Sequence, residues 1–389
     1  MNSGQYGDFQ IEIYGEGMRG MLPRYPVDFE SLEAKAAEAL PSWVLSYVAG
    51  GAADERTQRA NAEAFADWGI VPRICNGSTE RDLSVELFGI SLPSPVFAAP
   101  IGVIGLCSQD FHGDLQVARA GRRLGVPVMP STLSMDPMED VAAELGDDPG
   151  FFQLYMPDDR DLAASFIHRA ENSGYRALVV TLDTWVPGWR PRDLNQANFP
   201  QLRGYCLANY VTDKNFRKRL THAPEDDPAG VVGEWVKLFG RPVSWDDLRW
   251  IRETTSLPLV VKGVAHPDDA RRAIDLGVDG LYCSNHGGRQ ANGGLPALET
   301  LPDVVEAAGD VPVLFDSGVR SGTDAVKALA LGATAVGIGR SYAYALAVGG
   351  EDAVVHHFRS ILAEADLLMA VDGYPTLADL RSTPMRRVR

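Results

Sequence analysis

The chain has 389 residues, 45% hydrophobic and 23% charged, which describes a globular protein with apolar side chains enough for a large core. A formal net charge of −16 argues against nucleic acid and anionic membrane as partners, so a site for an anion must be built from local arginines. Cys75, Cys107, Cys206 and Cys283 lack metal-type or CxxC spacing and read as reduced thiols, and no basic segment followed by an apolar run opens the chain, so a cytoplasmic location is expected.

Residues 1–90 carry a helical pattern, "DFESLEAKAAEALPSWVLSYVAGG", expected to pack as an extension on one end of the larger C-terminal portion. From residue 91 onward, short apolar runs alternate with loops and helical segments. The runs are 95–100, 126–131, 151–155, 177–183, 258–263, 279–285, 311–316 and 334–339. Each is continuously apolar, as parallel strands buried on both faces are. The helical segments between them tend to open on Asp or Ser and close on Gly. Eight strand–helix alternations predict an α/β fold of the (β/α)8 barrel kind over residues 91–389. The most apolar stretch, "PVFAAPIGVIGLC", is too short to span a bilayer and is interrupted by Pro100.

One connection is too long for a simple loop: about seventy residues separate the fourth and fifth strands. It contains Trp185, Trp189, Trp235, Trp245 and Trp250, and disordered segments are poor in aromatics. Residues 185–255 are therefore read as an ordered lid, with "PEDDPAG" (224–230) as its loosest part.

Barrel enzymes build their sites at the carboxyl ends of the strands. Those ends carry Pro100, Ile101 and Gly102; Ser131; Gln153 and Tyr155; Thr181 and Asp183; Lys262; Ser284 and His286; Asp316, Ser317, Gly318, Val319 and Arg320; Gly339 and Arg340. Singly, a polar strand end is ordinary; all eight converging on one face point to a site. The glycine-rich loops seven and eight, with Arg320 and Arg340, suit a phosphate belonging to a sugar, a nucleotide or a flavin. His286 can act as a base oriented by Asp183, and Arg190 with Arg289 can clamp a carboxylate, helped by a hydroxyl from Tyr47 or Tyr155. Lys262 could place a fixed positive charge against a cofactor, or form a Schiff base in an aldolase. No cluster has metal-ligand spacing, so no metal is expected.

The block "SNHGGRQ" (284–290) resembles the signature of the FMN-dependent 2-hydroxy-acid oxidising enzymes. "SYVAGGA", "FFQLY", "VVTLDT", "VVKGV", "FDSGVRSGTDAVKALALGA" and "GIGR" resemble further family blocks, in order, over roughly residues 30 to 375. "APIGVIGLC", "DTWVPGWRPRDLN", "ANFPQLRGYC" and the long fourth connection are most similar to the actinobacterial lactate 2-monooxygenase branch.

The resemblance implies FMN as cofactor, a small 2-hydroxy acid and O2 as reactants, and a homo-oligomer, tetramer or octamer. It implies that His286, oriented by Asp183, is the base for the substrate hydroxyl. Arg190, Arg289 and Tyr47 would hold the carboxylate, with Tyr155 near the hydroxyl and Lys262 beside the flavin. Pro100 to Gly102, Ser131, Gln153, Thr181 and Ser284 would meet the ring system, while Asp316 to Arg320, Gly339 and Arg340 would take the ribityl phosphate. Gly102 stands where oxidases of the family often carry alanine, and the extra room, under a tryptophan-bearing lid, favours a monooxygenase over a plain oxidase. Leu133, Met135 and the lid aromatics are expected to shape the side-chain pocket.

Overall fold

The computed structural model describes residues 5–76, 79–383 and 385–388. Seven parallel strands form one sheet in the order β1 (Val96–Ala98), β8 (Ala335–Ile338), β7 (Val313–Phe315), β6 (Gly280–Cys283), β5 (Leu259–Val264), β4 (Ala177–Thr181), β3 (Phe151–Leu154). The expected second strand, β2 (residues 126–131), closes the gap between β1 and β3 through the parallel bridges Ala98–Val128, Val128–Gly150 and Ser131–Gln153. It pairs only at intervals because Pro127 and Pro130 have no N–H to donate. Their carbonyls still accept, from Ala98 N at 2.9 Å and Gln153 N at 3.0 Å. The result is a closed (β/α)8 barrel.

Every residue of β3, β4, β6 and β8 is buried, as the unbroken apolar runs predict. Inside the barrel Phe97, Phe151, Val179, Val260, Tyr282 and Leu314 make a compact core. A hairpin, Val85–Leu87 with Ile90–Leu92, plugs the amino-terminal end. Its turn places Phe88 and Gly89 at φ of 54° and 74°, and the Phe88 ring meets Phe151 edge-on at 5.8 Å. Among the described residues no helix is long and apolar enough to cross a membrane.

The N-terminal helical pattern becomes two helices, Phe29–Ala39 and Ser42–Ala49, separated at Pro41. Asp28 caps the first by accepting from Ser31 N. The second runs to the carboxyl end of the barrel, where Tyr47, Val48 and Gly50 become part of the mouth. The helix Arg56–Glu63 comes next and is pinned there by paired amides, Asn61 to Asn285, at 2.8 and 2.7 Å.

The long fourth connection is ordered as short helices: Pro191–Asn195, Ala208–Val211, Lys214–Arg217 and Pro228–Leu238, before the barrel helix Trp245–Thr254. Residues 224–230, expected to be its loosest part, form a turn that leads into the Pro228–Leu238 helix. Asp227 accepts from Gly230 N at 2.9 Å, and Ala223 O accepts from Asp226 and Asp227 N. Trp235 on that helix is buried and anchors it.

Candidate active site

The strand ends surround a hollow that opens to solvent. Pro100, Ile101 and Gly102 line it after β1, Lys262 on β5, His286 and Arg289 after β6, Asp316 to Arg320 after β7, and Gly339 with Arg340 after β8; Tyr47 and Tyr155 complete the wall. A second, smaller lobe reaches under the lid between Tyr47, Tyr155, Arg190, His286 and Arg289. Ser131, Gln153, Thr181 and Ser284 stand behind the wall rather than on it. Ser131 Oγ donates to Gln153 Oε1 at 2.7 Å, and Gln153 Nε2 to Thr181 Oγ1 at 2.9 Å, tying three strand ends together.

His286 sits at φ of 56°, followed by Gly287 at 64° and Gly288 at 72°. Three left-handed residues in succession make the sharp turn for which the glycines of "NHGGR" are needed. Gly288 also needs its missing side chain: a Cβ there would lie 2.5 Å from Gln58 N. The His286 Nδ1 lies 2.9 Å from Asp183 Oδ1 and 3.0 Å from Thr184 Oγ1. Burial pushes the Asp183 carboxyl up, but the charges of His286 and Lys262 outweigh it and hold it at about 2. Burial pushes the His286 imidazole below its ordinary range, against the pull of Asp183. At neutral pH the pair is therefore an ionised carboxylate and a neutral imidazole. Nδ1 carries the proton and Nε2 is the free base.

Two guanidinium groups flank this pair. Arg289 Nη1 donates to the carbonyls of Tyr47 at 2.5 Å and Gly50 at 2.6 Å. Arg190 and Arg289 each stand 4.8 Å over the Tyr47 ring, so one aromatic side chain sets the spacing of both. Tyr155 is half-buried, and desolvation pushes its phenol well above the ordinary range, with the Thr184 hydroxyl opposing that shift.

Lys262 is aimed by a bulge: the β5–β6 register shifts between Lys262 and Val264, with Gly263 at φ of 103°. Its Nζ donates to Ser284 Oγ at 2.9 Å, lies 3.5 Å from Asp316 Oδ2 and stands 4.9 Å over the Tyr282 ring. An ammonium held this way is a fixed charge beside the hollow. Asp316 in turn accepts from Ser284 and Ser317 hydroxyls at 2.5 and 2.8 Å and from Tyr282 at 2.9 Å.

The far end of the hollow is rich in uncompensated positive charge. Arg340 donates to the carbonyls of Val48, Gly50 and Gly287 and to Gln58 Oε1, and Arg320 to Val319 O. Among the described residues neither guanidinium has a carboxylate within ion-pair distance. Burial, with Arg289 and Arg320 nearby, pushes Arg340 down to about 9. Buried cations without anions are costly, and here they face the backbone of Gly318 and Gly339. A phosphate dianion fits that surplus, and Lys262 at the other end fits an electron-rich ring edge. The chain's own residues thus suit FMN. Among the described residues no group of His, Cys, Asp or Glu could hold a metal ion.

Several expectations about the lid change. Trp185 and Trp189 are 47% and 73% exposed and do not cover the hollow. Phe199 and Phe239 do, with Trp235 stacked behind Phe239 at 5.0 Å. Leu133 lines both lobes, whereas Met135 turns away and its sulfur accepts from Cys206 N at 3.2 Å. Thr184, Pro187 and Gln290 line the smaller lobe without having been singled out in the sequence. Thr184 could have been: it closes the block "VVTLDT", directly after Asp183.

Fold and mouth together define a flavin-dependent oxidoreductase of the barrel type. The sequence matches the FMN-dependent dehydrogenase family over residues 36–387, and the chain belongs to that family, with FMN as its cofactor. It is 41% identical over 391 residues to an FMN-dependent alpha-hydroxy acid dehydrogenase of Penicillium citrinum, covering 98% of this chain and 96% of that protein. It is 38% identical to an L-lactate oxidase of Lysinibacillus sphaericus, covering 92% of each. The crystal structure of a mandelate oxidase superposes with a TM-score of 0.82 at 33% identity, covering 93% of this chain and 99% of that one.

Proposed function

We propose that the protein oxidises an (S)-2-hydroxy acid at this mouth and that on lactate it acts as a 2-monooxygenase, giving acetate, CO2 and water from lactate and O2. The observation that carries the hydroxy-acid reading is the joint geometry of a free imidazole nitrogen and two guanidiniums stacked over one tyrosine. A 2-hydroxy acid presents a carboxylate next to a hydroxyl, and those are the two groups such a wall can address.

Arg190 and Arg289 take the carboxylate, with Tyr47 between them. That leaves the hydroxyl facing His286 Nε2, which accepts its proton, while Asp183 stabilises the imidazolium so formed. Tyr155 donates to the substrate oxygen. Bound FMN supplies the two-electron acceptor, and Lys262 provides the fixed cation that balances the charge arriving there. Pro100 to Gly102, Ser131, Gln153, Thr181 and Ser284 support the ring; Asp316 to Arg320, Gly339 and Arg340 hold the phosphate tail.

Two features support the monooxygenase outcome. Gly102 leaves space beside Leu133 that a side chain would take, and Phe199, Pro187 and Phe239 roof the smaller lobe. A roofed lobe retains the keto acid beside hydrogen peroxide, which decarboxylates it in place. The second reading, an oxidase releasing keto acid and peroxide from lactate or a bulkier hydroxy acid, is favoured by the apolar roof and by the likeness to the lactate oxidase. Anaerobic mixing with (S)-lactate should bleach the flavin band. In air, acetate should form in place of pyruvate; stoichiometric pyruvate and peroxide without acetate would remove the monooxygenase reading, and a band unbleached by every hydroxy acid would remove both. We further place the protein in the cytoplasm as a homo-oligomer. Exposed apolar side chains such as Met18, Leu22 and Trp189 support contact between copies, and light scattering tests it.

A further inference from the structure

We infer that Thr184 is a positioning residue for the base: its hydroxyl locks the His286–Asp183 pair in the tautomer that leaves Nε2 free. This rests on the reading of His286 as base.

The hydroxyl stands at the junction of the three groups that would handle the substrate hydroxyl. It donates to Asp183 Oδ1 at 2.8 Å, lies 3.0 Å from His286 Nδ1, and opposes the burial-driven shift of Tyr155. A hydroxyl has one proton and two lone pairs. With its proton spent on Asp183, Thr184 can only accept from His286, so the Nδ1–H is shared between two acceptors, Asp183 Oδ1 at 2.9 Å and Thr184 Oγ1. With Nδ1 unprotonated, the Thr184 hydroxyl would have to turn its proton away from Asp183 to reach it, and the Asp183 carboxylate would face a nitrogen lone pair with nothing to donate.

Thr184 also supports the carboxylate. Asp183 Oδ2 is buried without a hydrogen-bond partner, so Oδ1 carries the whole network. Gly263 packs on its other side, where a Cβ would come within 2.9 Å of Asp183 Cβ. Removing the Thr184 hydroxyl leaves His286 as the last side-chain donor to that oxygen.

Two effects on the base oppose each other. Losing the oxygen beside Nδ1 destabilises the imidazolium directly; losing the bond to Asp183 makes that carboxylate a stronger partner. The direct effect wins, because Asp183 is already fully ionised and its charge does not change. Basicity at Nε2 therefore falls.

The test compares Thr184→Val with Thr184→Ser in the FMN-loaded enzyme, reading kcat/KM against pH. Thr184→Val should lower kcat/KM by about 10-fold or more at neutral pH and move the acid limb down by about half a unit. Thr184→Ser should restore both. Flavin absorbance reports folding, and Thr184→Ala stands in if the valine variant does not load FMN. An acid limb that stays in place in the valine and alanine variants, or a serine variant no better than valine, overturns the inference. A parent enzyme with no acid limb overturns the role of His286 itself and the inference with it.

Discussion

His286 occupies a backbone region that costs a non-glycine residue of order 1 kcal/mol or more, at φ of 56°, and asparagine is among the few residues that tolerate it. His286→Asn is thus the least disruptive way to remove the proposed base. The variant should fold and bind FMN while kcat/KM falls by roughly 10²- to 10⁴-fold, as read by steady-state turnover alongside flavin absorbance. In the parent, the His286 imidazole lies below its ordinary range through burial, so on the proposed role kcat/KM should be flat at neutral pH and fall only on the acid side. Gly102 makes a gentler test. A Cβ there would lie 3.3 Å from Leu133 Cβ and 3.4 Å from Leu133 O, close enough that Leu133 must shift by a few tenths of an ångström. Gly102→Ala should keep its flavin and yield less acetate relative to pyruvate, measured as the product ratio in air. At this scale the sequence was readable where chemistry is carried by a rare residue type. At Thr184 it offered only a place, the end of the block "VVTLDT"; the role depends on a hydroxyl that the fold sets between Asp183 and His286.

The strands of the barrel were legible because parallel strands buried on both faces carry unbroken apolar runs. β2 was legible as a run but not as a fragmented ladder, which depends on where Pro127 and Pro130 fall in the pairing. The lid was legible as ordered from its aromatics, yet which aromatics face the substrate was not. That depends on how the helix Pro228–Leu238 seats Trp235 inward and brings Phe239 to the roof. The lid's hold on the mouth is equally a matter of close approach. Gly188 packs on the loop after β6 so tightly that a Cβ would lie 2.4 Å from Arg289 O. Gln290 Nε2 reinforces the contact by donating to Asp183 O and Val186 O at 3.2 and 2.9 Å. Gly188→Ala should push the lid off this loop and disturb Arg289. An approximately 10-fold or greater loss of kcat/KM is expected with the flavin spectrum unchanged, since misplacing a clamp by an ångström costs that much.

Across the whole molecule, positive charge is concentrated in one cavity of a chain with net charge −16. Arg289, Arg320 and Arg340 repel one another there, and an anion relieves the strain. FMN should therefore stabilise the fold by about 2.7 kcal/mol at a hundredfold excess over its Kd, and inorganic phosphate should recover part of this in the FMN-free protein. Calorimetry should show both increments in Tm, the smaller one with phosphate and neither with chloride at equal ionic strength. The mouth itself is assembled from opposite ends of the chain. The carbonyls of Tyr47, Val48 and Gly50 are bound by Arg289 and Arg340, up to 292 residues further on. During synthesis those carbonyls emerge first and wait for nearly the whole polypeptide to be made. Capture of the flavin is accordingly a property of the finished chain: ribosome-stalled products ending before residue 340 should carry no yellow chromophore, however much of the barrel they have already built.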